Sequence, residues 1–204
     1  MLTWLLIGLG DIATKRVLPA ILAEERSQLA GIVTRDPAKA MPYGVPTFTT
    51  LEAALGESEA AAVYVASPVF LHAPQSIAAL AAYRHVLCEK PLAMNLAEAE
   101  RIVAQGCESR RTLGVAYYRR AYPKIHRAME LIRSGVIGQP MFAWANCHTQ
   151  LPATKLHRSW LLAPAQAGGG LLYDIACHRT LTGSDQSPAQ IRARCVVKPK
   201  YFHP

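Results

Sequence analysis

The stretch Leu2-Thr3-Trp4-Leu5-Leu6-Ile7-Gly8-Leu9-Gly10-Asp11-Ile12-Ala13 decides how this chain folds. Its first six residues are an unbroken apolar run of strand length, the pattern of a strand buried on both faces. Two glycines follow, and then a helical pattern through Ala23 with Val17, Leu18, Ile21 and Leu22 apolar. Strand, glycine turn and helix in that order give Gly8-x-Gly10-x-x-Ala13 the context of a dinucleotide fingerprint. The glycines let the backbone approach a pyrophosphate where a helix N-terminus offers free amide donors. A βα turn of the same composition that binds nothing is the plainer alternative, and the string alone leaves both open.

Outward from this turn, the same unit repeats. Gln28 to Thr34, Ala61 to Ser67, His85 to Cys88 and Thr112 to Tyr117 read as further buried strands, with helical patterns between them. The best of these helices opens at Asn95, an N-cap with Glu98 in capping-box position, and runs to Gly106. Apolar strands joined by helices predict a doubly wound α/β fold, a parallel sheet covered on both faces, over residues 1–118. Beyond residue 118 the texture changes. Tyr122 to Ser134 predicts an amphipathic helix with Ile125, Met129 and Ile132 on one face and Gly135 as its C-cap. Strand-like runs at Met141 to Thr149 and Gln190 to Val197, and a short helix after Gly168-Gly169-Gly170, complete the expectation of a smaller, incomplete α+β domain over residues 119–204.

With 51% hydrophobic and 18% charged residues in 204, the chain excludes disordered and fibrous classes. The apolar first ten residues lack a basic n-region, so neither a signal peptide nor a membrane span is expected. Five cysteines without a C-x-x-C pair are unlike a disulfide framework and point to a reducing cytoplasm. The net charge of +8 is uneven: residues 1–100 hold 7 basic against 10 acidic side chains, residues 101–204 hold 15 against 4. A basic half of this kind suits nucleic acid, an anionic surface or a phosphorylated ligand. Tyr117, Tyr118, Arg119 and Arg120 could form a stacking and phosphate stripe, but no nucleic-acid motif accompanies them. Cys147-His148 with Cys177-His178 lacks the spacing of a zinc site, so no metal is expected.

Three further places carry chemistry. At the end of the second strand, Thr34 and Arg35 stand where an NAD site usually has an acid, and a hydroxyl with a guanidinium suits the 2'-phosphate of NADP(H). NAD(H) stays open, with Asp36 then serving a ribose hydroxyl. Lys90, in Cys88-Glu89-Lys90-Pro91, follows a strand C-terminal end, where an ammonium can polarise a carbonyl. Asp174 and His178 lie four apart behind a glycine run, on one helix face, so that the carboxylate can fix the tautomer of an imidazole that exchanges a proton with a hydroxyl.

Taken in order, Gly8 to Ala13, Ser67-Pro68 with His72, Glu89-Lys90-Pro91, Arg119 to Pro123, Ser134 to Pro140 and Gly168 to His178 resemble the Gfo/Idh/MocA oxidoreductases over about residues 2–178. By that resemblance Lys90, Asp174 and His178 match the family's catalytic residues. Gly8, Gly10, Asp11, Ile12, Ala13, Thr34, Arg35, Ser67, Pro68, His72, Glu89 and Lys90 match cofactor positions. The resemblance implies NADP(H)-preferring hydride transfer between nicotinamide and a secondary alcohol or carbonyl of a sugar or polyol, with NAD(H) also accommodated. Some family members use the cofactor transiently in glycoside cleavage or act on biliverdin-like acceptors, and a non-catalytic dinucleotide-binding fragment is the alternative. Ala176 replaces a usual glycine, Leu161 follows Trp160 where an arginine is common, and Val69 follows Pro68 in place of an asparagine. Family members continue through an open-faced sheet that also forms the oligomer interface. The short C-terminal region is therefore expected to lack part of that sheet and of the substrate pocket, which weakens the expectation of a homo-oligomer.

Overall fold

A computed structural model describes residues 1–141 and 163–168. Among them six strands form one parallel sheet: β1 (Leu2–Ile7), β2 (Ser27–Val33), β3 (Thr47–Phe48), β4 (Ala62–Val65), β5 (His85–Cys88) and β6 (Leu113–Val115), in the order β3-β2-β1-β4-β5-β6. The helices are α1 (Leu18–Ala23), α2 (Leu51–Glu57), α3 (His72–Ala81), α4 (Leu96–Ser109), α5 (Pro123–Arg133) and α6 (Pro164–Ala167). The strand order reverses between β1 and β4, and such a reversal opens a crevice at the carboxyl ends of the strands.

The period-2 alternation of the strands divides the core between the two sheet faces. Leu5 and Ile7 of β1, Val63 and Val65 of β4, and Val86 and Cys88 of β5 pack with Leu51 and Ala54 of α2, Ala73, Ala79 and Leu80 of α3, and Ile102 of α4. Leu6, Ile32 and Tyr64 face the other way, against Val17, Leu18 and Ile21. Burying each such aliphatic side chain is worth roughly 1.5–3 kcal/mol. Both faces need cover, which is why these strands read as continuous apolar runs.

Local chemistry sets the element ends. A π-helical turn, Ala13–Val17, precedes α1. Pro19 has no N–H to return to the Lys15 carbonyl and its ring would press on it, and the wider turn relieves both. Asn95 caps α4, its side chain accepting from the Glu98 amide at 2.9 Å, while the Glu98 carboxylate accepts from the Met94 amide at 3.0 Å. Gly106 does not end this helix: it lies buried inside it, where an added Cβ would rest 3.6 Å from Leu113, and the chain turns four residues later through Arg110 at φ 53°. β3 is a strand that the residue pattern did not announce.

The chain divides into two compact units, the first built from Met1–Ala116 with Ala165–Gly168. In the second, a 3₁₀ turn (Tyr118–Ala121) leads into α5, where Ile125 and Met129 are half-buried and Ile132 is exposed. Gly135 follows at φ +71°, as a C-terminal glycine should. The predicted strands over 141–149 and 190–197, and the segment holding Asp174 and His178, lie outside the described residues apart from Met141. No helix among the described residues is long and apolar enough to cross a membrane, and none of their His, Cys, Asp and Glu side chains cluster as metal ligands.

Candidate cofactor cleft and active site

The first unit brings its predicted site residues to the C-terminal ends of β1, β2, β4 and β5. Gly8 leaves β1 at φ +90°, and a Cβ there would lie 3.0 Å from the Ala66 carbonyl oxygen and 3.2 Å from the Ser67 nitrogen. Only glycine fits that conformation and that approach. Its amide donates to the Val33 carbonyl at 2.9 Å, which holds the turn against β2. At Gly10 a Cβ would meet nothing within 4 Å, so the backbone there borders open space. A bare backbone beside open space at a helix N-terminus is what a pyrophosphate requires. Ala13, the third fingerprint position, is fully buried and seats the helix on the sheet. Asp11 is partly exposed and pairs with Lys15 at 3.5 Å, and Ile12 packs against the core of this face.

The end of β2 is built differently. Thr34 is buried, its amide donating to the Phe48 carbonyl at 2.9 Å. Its hydroxyl oxygen accepts from the Asp36 amide at 3.2 Å, so the threonine shapes the turn that carries the next residue. Arg35 is exposed on that turn, and Asp36 pairs with Lys39 at 3.5 Å.

After β4, the Ser67 hydroxyl donates to Gln75 Oε1 of α3 at 2.6 Å, and Pro68 opens a single 3₁₀ turn, Val69–Leu71. His72 is only 2% exposed. Its Nδ1 lies 2.8 Å from the Pro91 carbonyl oxygen and its Nε2 2.8 Å from that of Ser67. The resemblance places His72 in the cofactor site; the imidazole itself is buried and holds the two loops that border the cleft. Burial above all, with the charge of Lys90, lowers its pKa from the ordinary value, against the pull of the carbonyls that favour a bound proton. Glu89 is buried after β5 and accepts from the Tyr64 hydroxyl at 2.8 Å. Lys90 is half-buried, and its peptide bond to Pro91 is cis. Tyr64 and Gln75 escaped the sequence reading, although a phenol inside the apolar strand Ala61 to Ser67 needs a buried acceptor and so signals one. A recess of about 1020 Å³ elsewhere, lined by Thr3, Gln28, Pro46, Glu57 and Glu59 among others, includes none of these residues.

Residues 2–117 match the model of a family described as an oxidoreductase family with an NAD-binding Rossmann fold, and residues 125–182 match the C-terminal domain of Gfo/Idh/MocA proteins. The chain belongs to the Gfo/Idh/MocA oxidoreductases. It is 37% identical to a 1,5-anhydro-D-fructose reductase of Ensifer adhaerens over 86% of its own length and 53% of the relative's. A D-xylose 1-dehydrogenase [NADP(+)] of Haloarcula marismortui is 30% identical, over 92% of this chain and 55% of that one. Among solved structures, a single-residue variant of KijD10, a 3-ketoreductase from Actinomadura kijaniata in complex with TDP-benzene and NADP, superposes with a TM-score of 0.74 at 30% identity. That match covers 85% of this chain and 53% of the other. This Gfo/Idh/MocA chain thus spans about half the length of the curated relatives it matches.

Proposed function

We propose that this chain binds NADP(H) at the Gly8–Gly10 turn and, through Lys90, Asp174 and His178, serves hydride transfer at a secondary alcohol or carbonyl carbon of a sugar or polyol. Residues 1–118 hold the cofactor and residues 119–204 contribute to the substrate side, in a reducing cytoplasm. The observation that carries the reading is the bare, open backbone at Gly10 beside the reversal of strand order, with Lys90 following β5. The relatives named for sugar reduction or oxidation support the substrate class.

When bound, the nicotinamide supplies or accepts the hydride; the rest is work for the chain. The first helical turn presents amide donors to the pyrophosphate, and Gly10 keeps that approach clear. Arg35 reaches the 2'-phosphate through charge-assisted hydrogen bonds, each worth about 1.5–3 kcal/mol. The Lys90 ammonium donates to the substrate oxygen and stabilises negative charge there. His178 gives or takes the hydroxyl proton, with Asp174 holding its tautomer.

Fluorescence titration of the chain with NADPH and NADH, beside Arg35→Ala, tests the cofactor reading. The variant is expected to bind NADPH about 10- to 100-fold more weakly with NADH affinity unchanged. Equal weakening for both cofactors sinks the 2'-phosphate role. Turnover of 1,5-anhydro-D-fructose or D-xylose that disappears in Lys90→Ala and His178→Ala would establish the catalytic part; cofactor binding without turnover would leave a dinucleotide-binding module.

A further inference from the structure

Lys90 leaves β5 on an irregular segment, and a lysine placed for catalysis must be held to about half an ångström. Both of its chain neighbours are gripped from the segment that begins in β4. The Tyr64 hydroxyl donates to the Glu89 carboxylate at 2.8 Å, on one side. On the other, the His72 ring lies 2.8 Å from the Pro91 carbonyl oxygen and 2.8 Å from that of Ser67. The neutral ring donates its one N–H to one of these carbonyls and wedges against the other, so it fills the space between the loops after β4 and β5. Burial and the nearby Glu89 charge raise the Tyr64 pKa, which keeps the phenol a donor. Both rings are buried, Tyr64 to 8% exposure and His72 to 2%.

Burying polar groups at these places costs more than burying a phenylalanine of similar volume, unless the hydrogen bonds are made. Packing alone does not ask for a phenol or an imidazole here. The backbone amide of Glu89 also donates to the Val65 carbonyl at 2.9 Å, so the segment leaves the sheet only after that bond. Tyr64, Val65 and His72 thus each contribute a contact that fixes its course from there to Pro91.

We propose that Tyr64 and His72 are positioning residues that clamp the backbone on either side of Lys90 and thereby set where its ammonium stands at the cleft beside Gly8 and Ser67. The proposal rests on the reading of Lys90 as the group that meets the substrate oxygen. Neither ring touches the substrate or the cofactor; each acts through the segment it holds.

The test compares the full chain with Tyr64→Phe, which removes one oxygen atom, and His72→Gln, which removes the rigid ring wedged between the two carbonyls. Amide hydrogen exchange across residues 85–95 is expected to accelerate at least tenfold in each variant, while residues 2–23 change less than twofold. NADPH affinity stays within threefold, and the emission of bound NADPH shifts toward that of the free cofactor. With 1,5-anhydro-D-fructose and NADPH, kcat falls at least tenfold and KM stays within threefold. Exchange at 85–95 that rises no more than at 2–23, or an unchanged kcat, overturns the clamp. Should His72→Gln fail to fold, Tyr64→Phe decides alone. A wild-type chain that neither binds NADPH nor turns over contradicts the functional reading, and the exchange comparison still decides the clamp.

Discussion

The two flanks of the cleft are held by opposite means. On the side of β4 and β5, Tyr64, Ser67, His72 and Glu89 are tied to one another or to nearby backbone and are largely buried. On the side of β2, Arg35 stands exposed on a turn, and Gly10 borders open space. On the proposed reading Lys90 is a reacting group, which needs a fixed place, and the side that carries it is the fastened one. On the same reading the other side recognises a phosphate, which tolerates a long charged side chain that finds its partner on arrival, and that side is the open one. If Arg35 meets the 2'-phosphate as proposed, replacing it changes the preference between NADP(H) and NAD(H) without disturbing the core.

The hardest way to break this contrast is at Gly8, where the fastened side meets the turn. Gly8→Val would place a Cβ 3.0 Å from the Ala66 carbonyl oxygen in a conformation disfavoured for β-branched residues. It is expected to lose at least 2 to 3 kcal/mol of stability, roughly the cost of a strained backbone site, together with all measurable NADPH binding. Thermal melting and fluorescence titration would show both losses, and a melt unchanged from wild type would contradict the crowding. Gly10→Ala sharpens the contrast on the open side: its Cβ meets no protein atom, so the melting temperature should hold. NADPH affinity should nevertheless fall about tenfold, near 1.4 kcal/mol, because the methyl occupies the approach of the pyrophosphate. Loss of stability without loss of affinity would reverse the assignment.

Acid should loosen the fastened side first. The folded pKa of His72 lies below its ordinary value, mainly through burial. As pH falls through that ordinary value of 6.5, the unfolded chain takes up a proton that the folded site resists. The stability contribution is thus intact at neutral pH and declines on acidification, with a slope of up to about 1.4 kcal/mol per pH unit. Urea melts between pH 7.5 and 5 should show a steeper decline for wild type than for His72→Gln. Parallel declines would mean that the ring is not held neutral. The smallest effect concerns thiols. Burial pushes Cys88, at the end of β5, up to about 12, whereas Cys107 on α4 is exposed. Among these two, iodoacetamide at pH 8 should label Cys107 and leave Cys88 intact in the folded chain, as peptide mass mapping would show.

How much of this was legible follows the range of the interactions involved. Leu2 to Ala13 declared strand, turn and helix because burial on both faces and the glycine pair are local properties. The two residues of β3 are too few to show a pattern; their pairing depends on Ile32 and Val33 already being in place. Gly106 reads as a helix end by composition, yet the helix continues through it because α4 lies close to Leu113. Within the site, Lys90 and the glycines follow from position after a strand. The partnership of Tyr64 with Glu89 does not, since it spans 25 residues and exists only once β4 and β5 are aligned side by side. His72 could be singled out by resemblance to the family, but its hold on Pro91 and Ser67 belongs to the folded arrangement.

The π turn at Ala13–Val17 has a mechanical consequence. Each residue advances a helix by about 100°, so one residue more in a turn rotates everything before it relative to everything after. The end at Gly10 and Asp11, which faces the phosphate on the proposed reading, and the core-facing stretch at Leu18 and Ile21 are thus indexed independently, as two dials on one shaft. Deleting one residue from this turn would leave the core-facing dial set and swing the other away from the cleft, so, on the proposed reading, cofactor affinity would be lost here without removing a single group that touches the cofactor.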